Sequence, residues 1–179
     1  KINDYLFLHG GIGPTLSGLS IREINDRVRA EIHQKLVPKN GLAVGRDGPL
    51  WYRGLAVDPE AGLQPHVDAL LATHGVAHVV VGHTTTPGAV VPRLDGKILL
   101  IDVGLSDYYG ARPACLVVQV GTAFALHRGR LLRLPLGPGS NLLDYLRAAA
   151  ALDPQPSPLD PLIQAGGRLP LASEAPEKR

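Results

Sequence analysis

Two short apolar runs with the composition of buried strands lie far apart in the chain. The first, at residues 5–8, reads YLFL, and the second, at residues 76–82, reads VAHVVVG. Aromatic and β-branched side chains dominate both runs, which are almost continuously apolar. This is typical of strands that are buried on both faces of a sheet. We therefore predict a strand at each position, inside an open α/β sheet.

The polar and apolar positions between these runs predict two helices. A capping box, SIRE, opens a stretch whose apolar residues recur at helical spacing, and this predicts a helix over residues 20–36. A second helix is predicted over residues 65–74, because Pro65 suits the first helical position and Gly75 suits a C-terminal stop. This helix leads directly into the second apolar run, as in a helix–strand unit.

The pattern after residue 83 changes to that of antiparallel strands. Asp95 and Gly96 separate two apolar runs and predict a hairpin with a type I′ turn. The remaining predicted elements are strands over residues 115–120, 123–127 and 131–135 and a helix over residues 141–152. Within these strands we expect Cys115 to be a buried, inert thiol and His127 to be exposed.

The order of these elements places the chain in the mixed α/β (α+β) fold class. Residues 1–152 carry all of the predicted helices and strands. Prolines recur from residue 153 to residue 179, and the hydrophobic periodicity is lost there. We therefore predict that residues 153–179 are a Pro-rich, partly disordered tail.

Length and charge narrow the class of function. The 179 residues are expected to form one domain with a hydrophobic core. Lys and Arg number 18 against 16 Asp and Glu, and no basic patch is present, so no nucleic-acid partner is expected. No apolar run reaches the ~18 residues of a membrane span, so no membrane partner is expected either. The compartment stays open, because a single cysteine says little about it.

A histidine follows each of the two separated strands. His9 precedes Gly10 and Gly11, and His83 lies between Gly82 and a run of threonines. Ligands collect beyond the carboxyl ends of strands in open α/β sheets, and glycines leave room for them beside the backbone. Imidazole is a common ligand of zinc and iron, so the two rings are candidates for one metal site. The alternative, two ordinary polar residues at strand ends, stays open on this pattern alone.

The segment LWYRG, at residues 50–54, is the second candidate for chemistry. Trp51 is the only tryptophan in the chain, and Arg53 follows two residues later. Arginine binds phosphate oxygens through a rigid fork of donors, so this pair suits the wall of an anion pocket. A surface arginine beside a core tryptophan would give the same pattern.

Two of these motifs resemble those of a known family. LFLHGGIGP, at residues 6–14, resembles the VHGGLSP-type motif of the calcineurin-like metallophosphoesterases, and VVVGHTTT, at residues 79–86, resembles their later Gly-His motif. The likeness is closest to the phosphoprotein phosphatase branch and its Shewanella-like members. It implies a β-sandwich flanked by helices that binds two divalent ions (manganese, iron or zinc) ~3.5–4 Å apart. It also implies hydrolysis of phosphomonoesters of protein or small molecules by a metal-bridging hydroxide.

The resemblance assigns roles to individual residues. His9 and His83 would ligate the same metal ion, and Arg53 would anchor the phosphate. Residues expected to shape the loops are Gly10, Gly11, Gly82 and Thr84, and candidates for the pocket rim are Trp51, Tyr108 and Tyr109. Thr85 stands where phosphodiesterase relatives often carry a histidine, which favours the phosphoprotein phosphatase branch.

Three motifs of the same family, GDxHG, GDxxDRG and GNHE, do not occur in the 179 residues. They carry the aspartate and asparagine ligands and normally precede HGG. The chain also opens on Lys1 and has no methionine, so we expect a processed product or fragment, equivalent to the carboxyl-terminal half of a phosphatase domain. Alone it should be inactive, and the missing amino-terminal half is its expected partner.

Two alternative functions remain. A degenerate, non-catalytic module that binds phosphate or a protein partner would also lack the carboxylates. An α/β-hydrolase-type esterase could use HGG as its oxyanion loop, but no serine of the chain lies in the required G-x-S-x-G motif.

Overall fold

The computed structural model describes residues 1–34 and 38–169. They fall into two compact units, Lys1–Thr84 and Thr85–Arg179, each of which has its own buried residues. Helices and strands mix in both units, which confirms the α/β class. In the part of the chain that the structure describes, no helix is both long enough and apolar enough to cross a bilayer.

The first unit is built on two parallel strands. Strand β1 covers Tyr5–Leu8 and strand β2 covers His78–Val81. Their register pairs Tyr5 with His78 and Leu8 with Val81, so both strands end at the same level. Leu6 and Val79 are almost fully buried, but Phe7 is 43% exposed, so β1 is not buried on both faces as predicted. The two apolar runs therefore form the predicted strands, and the residues that follow them begin side by side.

The first helix of this unit begins as the sequence predicts. Helix α1 covers Ile21–Ile32, and its capping box joins Ser20 and Glu23 in both directions. The helix ends at Ile32 rather than at residue 36, which lies outside the described residues.

The other helices of this unit are α2 at Gly54–Val57 and α3 at Glu60–His74. The predicted start of α3 at Pro65 is wrong, because the helix begins at Glu60 and Pro65 lies inside it. Pro65 is the sixth residue of the helix, where proline removes one backbone hydrogen bond and its ring presses on the carbonyl of Ala61, so the helix bears a local cost there. The end is as predicted, since Gly75 takes the left-handed conformation at φ 56° that a side chain would disfavour.

The second unit begins with the predicted hairpin. Strands β3 (Val91–Arg93) and β4 (Ile98–Leu100) pair antiparallel. Asp95 (φ 55°, ψ 30°) and Gly96 (φ 88°) form the turn, and the Lys97 N–H donates to the Leu94 carbonyl at 3.1 Å. These angles are those of a type I′ turn, which confirms the prediction.

A three-stranded antiparallel meander follows, with strands β5 (Ala114–Gln119), β6 (Thr122–His127) and β7 (Arg130–Arg133). The burial of two side chains in this meander was predicted wrongly. His127 is buried, and Cys115 is exposed. Cys115 pairs with Leu126, the neighbour of His127, so the two side chains point to opposite faces of the sheet.

The last described segment contains helices α4 (Leu142–Ala150) and α5 (Asp160–Gln164). Helix α4 agrees with the predicted helix, and Asn141 caps its start. Helix α5 was not predicted; it contacts α4, and Leu159 just before it is fully buried. Residues 170–179 of the predicted tail lie outside the described residues. The domain boundary at residue 152 stays a prediction.

Candidate functional site

The two predicted histidines meet beyond the carboxyl ends of β1 and β2. His9 directly follows Leu8, and His83 comes two residues after Val81, the partner of Leu8. The centroids of the two rings are 4.9 Å apart, and the ring planes are inclined at 49°. His9 is exposed and His83 is half-buried. The predicted convergence of the imidazoles is confirmed, whereas their role as metal ligands stays a prediction.

Backbone hydrogen bonds hold the histidine loops together. The Gly82 N–H donates to the His9 carbonyl at 2.9 Å, which ties the two strand ends to each other. The Thr84 N–H then turns back to the Gly82 carbonyl at 2.6 Å, with His83 between them at φ 60°. A three-residue turn with a non-glycine residue at positive φ is rare and strained. Such strain persists only where the surroundings enforce it.

The two glycines after His9 lie close to residues 49–55. The N–H groups of Gly10 and Gly11 both donate to the Pro49 carbonyl, at 2.9 and 3.2 Å. A Cβ on Gly10 would lie 3.0 Å from the Tyr52 carbonyl oxygen, and one on Gly11 would lie 3.0 Å from the Leu55 side chain. Because both N–H groups are directed at Pro49, they do not form an open oxyanion hole. This arrangement argues against the esterase alternative.

Arg53 bonds to the turn that carries His83. Its Nη1 donates to the His83 carbonyl at 2.8 Å and to the Thr84 hydroxyl at 3.1 Å, and the residue remains exposed. The sequence predicted Arg53 as a phosphate anchor, and that role stays a prediction. Its bonds to the strained turn, which no sequence pattern indicated, give it a second role in supporting His83.

Trp51 stands against the histidine pair. Its ring is perpendicular to that of His83, with a centroid distance of 5.4 Å. The indole Nε1–H donates to the Ala43 carbonyl at 3.1 Å, which fixes the ring, yet 51% of the residue is exposed. Trp51 is therefore an ordered aromatic surface beside the two imidazoles.

The loop carrying His9 has supports that the sequence did not reveal. The Nε2 of His66 lies 2.8 Å from the Ile12 carbonyl. Tyr52 is buried edge-on to His66, and burial, aided by the charges of Asp58 and Asp47, raises the pKa of Tyr52 to about 12. The Tyr52 phenol thus stays protonated at neutral pH and packs beneath the loop. Tyr52 and His66 lie far from the HGG motif in the sequence, so no sequence pattern indicated these contacts.

The remaining predicted site residues lie in the second unit. Tyr108 and Tyr109 are exposed and form an edge-to-face pair with a centroid distance of 4.9 Å. The Thr85 hydroxyl donates to the Asp102 carboxylate at 3.4 Å. The pocket-rim role of the two tyrosines stays a prediction. Over residues 1–34 and 38–169, no group of three or more His, Cys, Asp or Glu is placed to hold a metal ion.

No protein-family model matches the chain. It is 38% identical over 92 residues to an uncharacterised protein of Schizosaccharomyces pombe, which covers 49% of this chain and 28% of that protein. It is 30% identical over 116 residues to Shewanella-like protein phosphatase 1 of Plasmodium berghei, which covers 59% of this chain and 32% of that protein.

The solved structures agree with these relatives. The crystal structure of the cold-active protein-tyrosine phosphatase of a psychrophilic Shewanella species superposes with a TM-score of 0.63 and 26% identity. The match covers 74% of this chain and 41% of that one. The fold is thus related to that of phosphatases.

Within that class, the relationship is to the Shewanella-like phosphatases, as the HGG and GHT motifs indicated. The chain spans about a third of the curated relatives it matches.

Proposed function

We propose that this chain supplies part of the active site of a metal-dependent phosphatase that hydrolyses phosphomonoesters. The observation that carries the proposal is the 4.9 Å separation of the His9 and His83 rings, with Arg53 bonded to the same turn. Two neighbouring imidazoles and a guanidinium that bonds to the turn carrying one of them suit a divalent ion and a phosphate group together. The phosphatase names of the relatives support the same reaction.

The donor set fits a divalent ion only in part. His9 and His83 offer two nitrogen ligands, whereas zinc sites take about four ligands, and manganese accepts carboxylates and water as well. When bound, such ions polarise phosphoryl oxygens and lower the pKa of water. We propose manganese, iron or zinc in a two-ion site, with His9 and His83 on the same ion.

The protein's own groups have separate tasks in this proposal. Arg53, which is exposed and carries a permanent positive charge, binds the phosphate oxygens and orients the ester. Its Nη1 also keeps the His83 backbone in place. Gly10 and Gly11 allow the HGG loop to pass close to the segment that carries Arg53.

The missing carboxylate ligands come, in this proposal, from a partner polypeptide equivalent to the amino-terminal half of the phosphatase domain. The chain alone is then inactive, and its substrate is a phosphorylated protein or small molecule.

The competing function is a non-catalytic module that binds a metal ion or phosphate. If no partner exists, the non-catalytic module is favoured, because His9 and His83 offer only two nitrogen ligands in the proposed site.

Metal binding can be tested on the chain by itself. Trp51 is the only tryptophan, and its ring lies 5.4 Å from that of His83, so its fluorescence should be quenched by Co²⁺ or Mn²⁺. We expect His9→Ala and His83→Ala to weaken the binding at least tenfold. His33→Ala is the matched control, because His33 is exposed at the end of α1. Equal metal affinity in all four proteins would refute the metal site.

Activity is tested separately with p-nitrophenyl phosphate and Mn²⁺. The chain alone should give no turnover. Adding the polypeptide that precedes the HGG motif in a full-length relative should produce activity that His83→Ala abolishes. Turnover by the chain alone would refute the need for a partner, and metal binding with no activity in the mixture would favour the non-catalytic module.

A further inference from the structure

Glu31 occupies a position in α1 that the helix itself does not explain. It lies one residue before the helix ends at Ile32, where the negative end of the helix dipole makes an acidic side chain unfavourable. Hydrophobicity alone would direct Ile32 inward and Glu31 to solvent, yet Glu31 is half-buried and Ile32 is 54% exposed. This local cost to the helix indicates that Glu31 acts on another part of the chain.

The carboxylate of Glu31 holds the turn that contains Ala43. Its Oε2 accepts a hydrogen bond from the Ala43 N–H at 2.8 Å. Ala43 is buried, so leaving its N–H without an acceptor would be costly. A Cβ on Gly41 would lie 2.5 Å from the same Oε2, so the turn fits closely around the carboxylate.

Ala43 in turn holds Trp51. The Ala43 carbonyl accepts the bond from the indole Nε1–H at 3.1 Å, and the indole ring is perpendicular to the His83 ring. The described residues 38–53, which carry both Ala43 and Trp51, form turns but no helix or strand. The position of the Trp51 ring therefore depends on contacts such as these.

These contacts form one series from α1 to the histidine pair. Glu31 fixes Ala43, and Ala43 fixes the Trp51 ring. That ring packs against His83, whose own ring lies 4.9 Å from the ring of His9. We infer that Glu31 is a positioning residue of the proposed site, which acts through Trp51 to keep the His83 ring in place for a metal ion. This inference rests on the proposed function and adds a residue that touches neither metal nor substrate.

The size of the effect follows from the last contact in this series. Edge-to-face rings contribute enough beyond buried area to change an equilibrium about two- to tenfold. Glu31→Ala should release Ala43 and with it the Trp51 ring, so the Co²⁺ affinity should fall by about two- to tenfold. Glu31→Gln removes the same charge, but its side-chain oxygen can still accept from the Ala43 N–H, so its affinity should stay within about twofold of the native value.

The test measures Co²⁺ affinity by calorimetry and the mobility of the Trp51 ring by fluorescence anisotropy, both on the full chain. Because Trp51 is the only tryptophan, the anisotropy reports on that ring alone. Glu31→Ala should lower both the affinity and the anisotropy, and Glu31→Gln should retain both. Circular dichroism and a thermal melt establish that the variants are folded. Glu31→Asp, which keeps the charge on a side chain one methylene shorter, replaces Glu31→Ala if that variant does not fold.

A double variant tests the route of the effect. Trp51→Ala has no ring to position, so adding Glu31→Ala to it should cause little further loss of Co²⁺ affinity. A full further loss would mean that Glu31 acts by another route, which overturns the inference.

The single variants also decide the matter. Native Co²⁺ affinity in Glu31→Ala, or equal losses in Glu31→Ala and Glu31→Gln, overturns the inference and leaves the proposed function standing. Failure of the unmodified chain to bind Co²⁺ overturns the proposed function, and the inference falls with it.

Discussion

Replacing Arg53 with alanine should weaken metal binding even though Arg53 is not a metal ligand. Its Nη1 donates to the His83 carbonyl at 2.8 Å and to the Thr84 hydroxyl at 3.1 Å. These bonds hold in place a turn in which His83 takes φ 60°. Without them, the turn can relax to a less strained conformation, and the His83 ring moves away from His9.

The magnitude can be worked from these contacts. Hydrogen bonds from a charged donor contribute about 1.5–3 kcal/mol each, but Arg53 is exposed, so solvent screening reduces each to about 0.5–1 kcal/mol. The pair then contributes about 1–2 kcal/mol, which is comparable to the ~1–3 kcal/mol of strain in such a backbone conformation. Losing this support should lower the metal affinity by about five- to thirtyfold.

The assay is a Co²⁺ titration of Trp51 fluorescence in phosphate-free buffer, which separates this effect from phosphate binding. Arg53→Lys should lie between the native chain and Arg53→Ala, because lysine keeps the charge but lacks the planar fork. Arg46→Ala removes another exposed arginine from the same segment and is the control. Loss of the positive charge of Arg53 alone would favour Co²⁺ binding, because it removes a repulsion between two cations. A fall in Co²⁺ affinity therefore identifies the lost hydrogen bonds as the cause. Equal or higher affinity in Arg53→Ala than in Arg46→Ala would refute the reasoning.

Three further changes test the packing around and beyond the site. Gly10→Ala should lower the free energy of unfolding by about 1–3 kcal/mol in urea titrations, because its Cβ would lie 3.0 Å from a backbone oxygen. Asp153→Asn should cost about 1–3 kcal/mol, because the buried carboxylate accepts hydrogen bonds from His127, Arg128 and Ser157. Ser20→Ala should lower the thermal midpoint by removing a cap worth about 1 kcal/mol.

The changes at Gly10 and Ser20 each have a matched control variant. Gly82→Ala should be milder than Gly10→Ala, since its Cβ would meet only the His9 carbonyl, at 3.5 Å. Equal losses would contradict the close-approach argument. Ser20→Thr keeps a hydroxyl that can accept from the Glu23 N–H and donate to the Glu23 carboxylate, so it should retain most of the stability that Ser20→Ala loses. If Ser20→Thr melts with Ser20→Ala, the capping argument is wrong.

The Asp153 prediction also has a pH signature. Burial raises the pKa of Asp153, but the hydrogen bonds from Arg128, Ser157 and His127 outweigh burial and hold the pKa below its ordinary value. A lowered pKa in the folded state adds stability that is fully present above the unfolded pKa of about 4. That stability is lost as the pH falls through the folded pKa. Asp153→Asn should therefore show a smaller loss of stability between about pH 5 and pH 2 than the native chain, and parallel curves would contradict the assignment.

The meeting of His9 and His83 could be predicted from sequence because the two strands that carry them obey a simple geometric rule. Two strands of similar composition, each followed by a histidine, need only pair in parallel for the histidines to meet at one edge. The register that pairs Leu8 with Val81 does this. The support by Arg53 could not be predicted, because it depends on where a long connecting segment places one guanidinium.

The wrong predictions for the meander have a physical cause. Along β6, Phe124 and Leu126 alternate with Ala125 and His127, and hydrophobicity alone selects the larger apolar pair as the buried one. The structure buries Ala125 and His127 instead. His127 is tolerated inside because its Nε2 bonds to the Asp153 carboxylate at 3.0 Å, from a residue 26 positions later. A local pattern cannot contain that partner.

The strain at His83 bears on whether the histidine pair serves catalysis or only binding. A histidine that merely ended a strand could relax into ordinary backbone angles at no loss, and nothing would hold it at φ 60°. Instead, the Thr84 N–H and the Arg53 guanidinium both fix this turn, while Gly82 ties it to the His9 carbonyl. Of the residues that fix the turn, Arg53 is the one that the family resemblance connects with phosphate, and Gly82 and Thr84 are those that it expects to shape the loop. The support of this turn therefore fixes the position of one imidazole 4.9 Å from the other, and the proposed site depends on that distance.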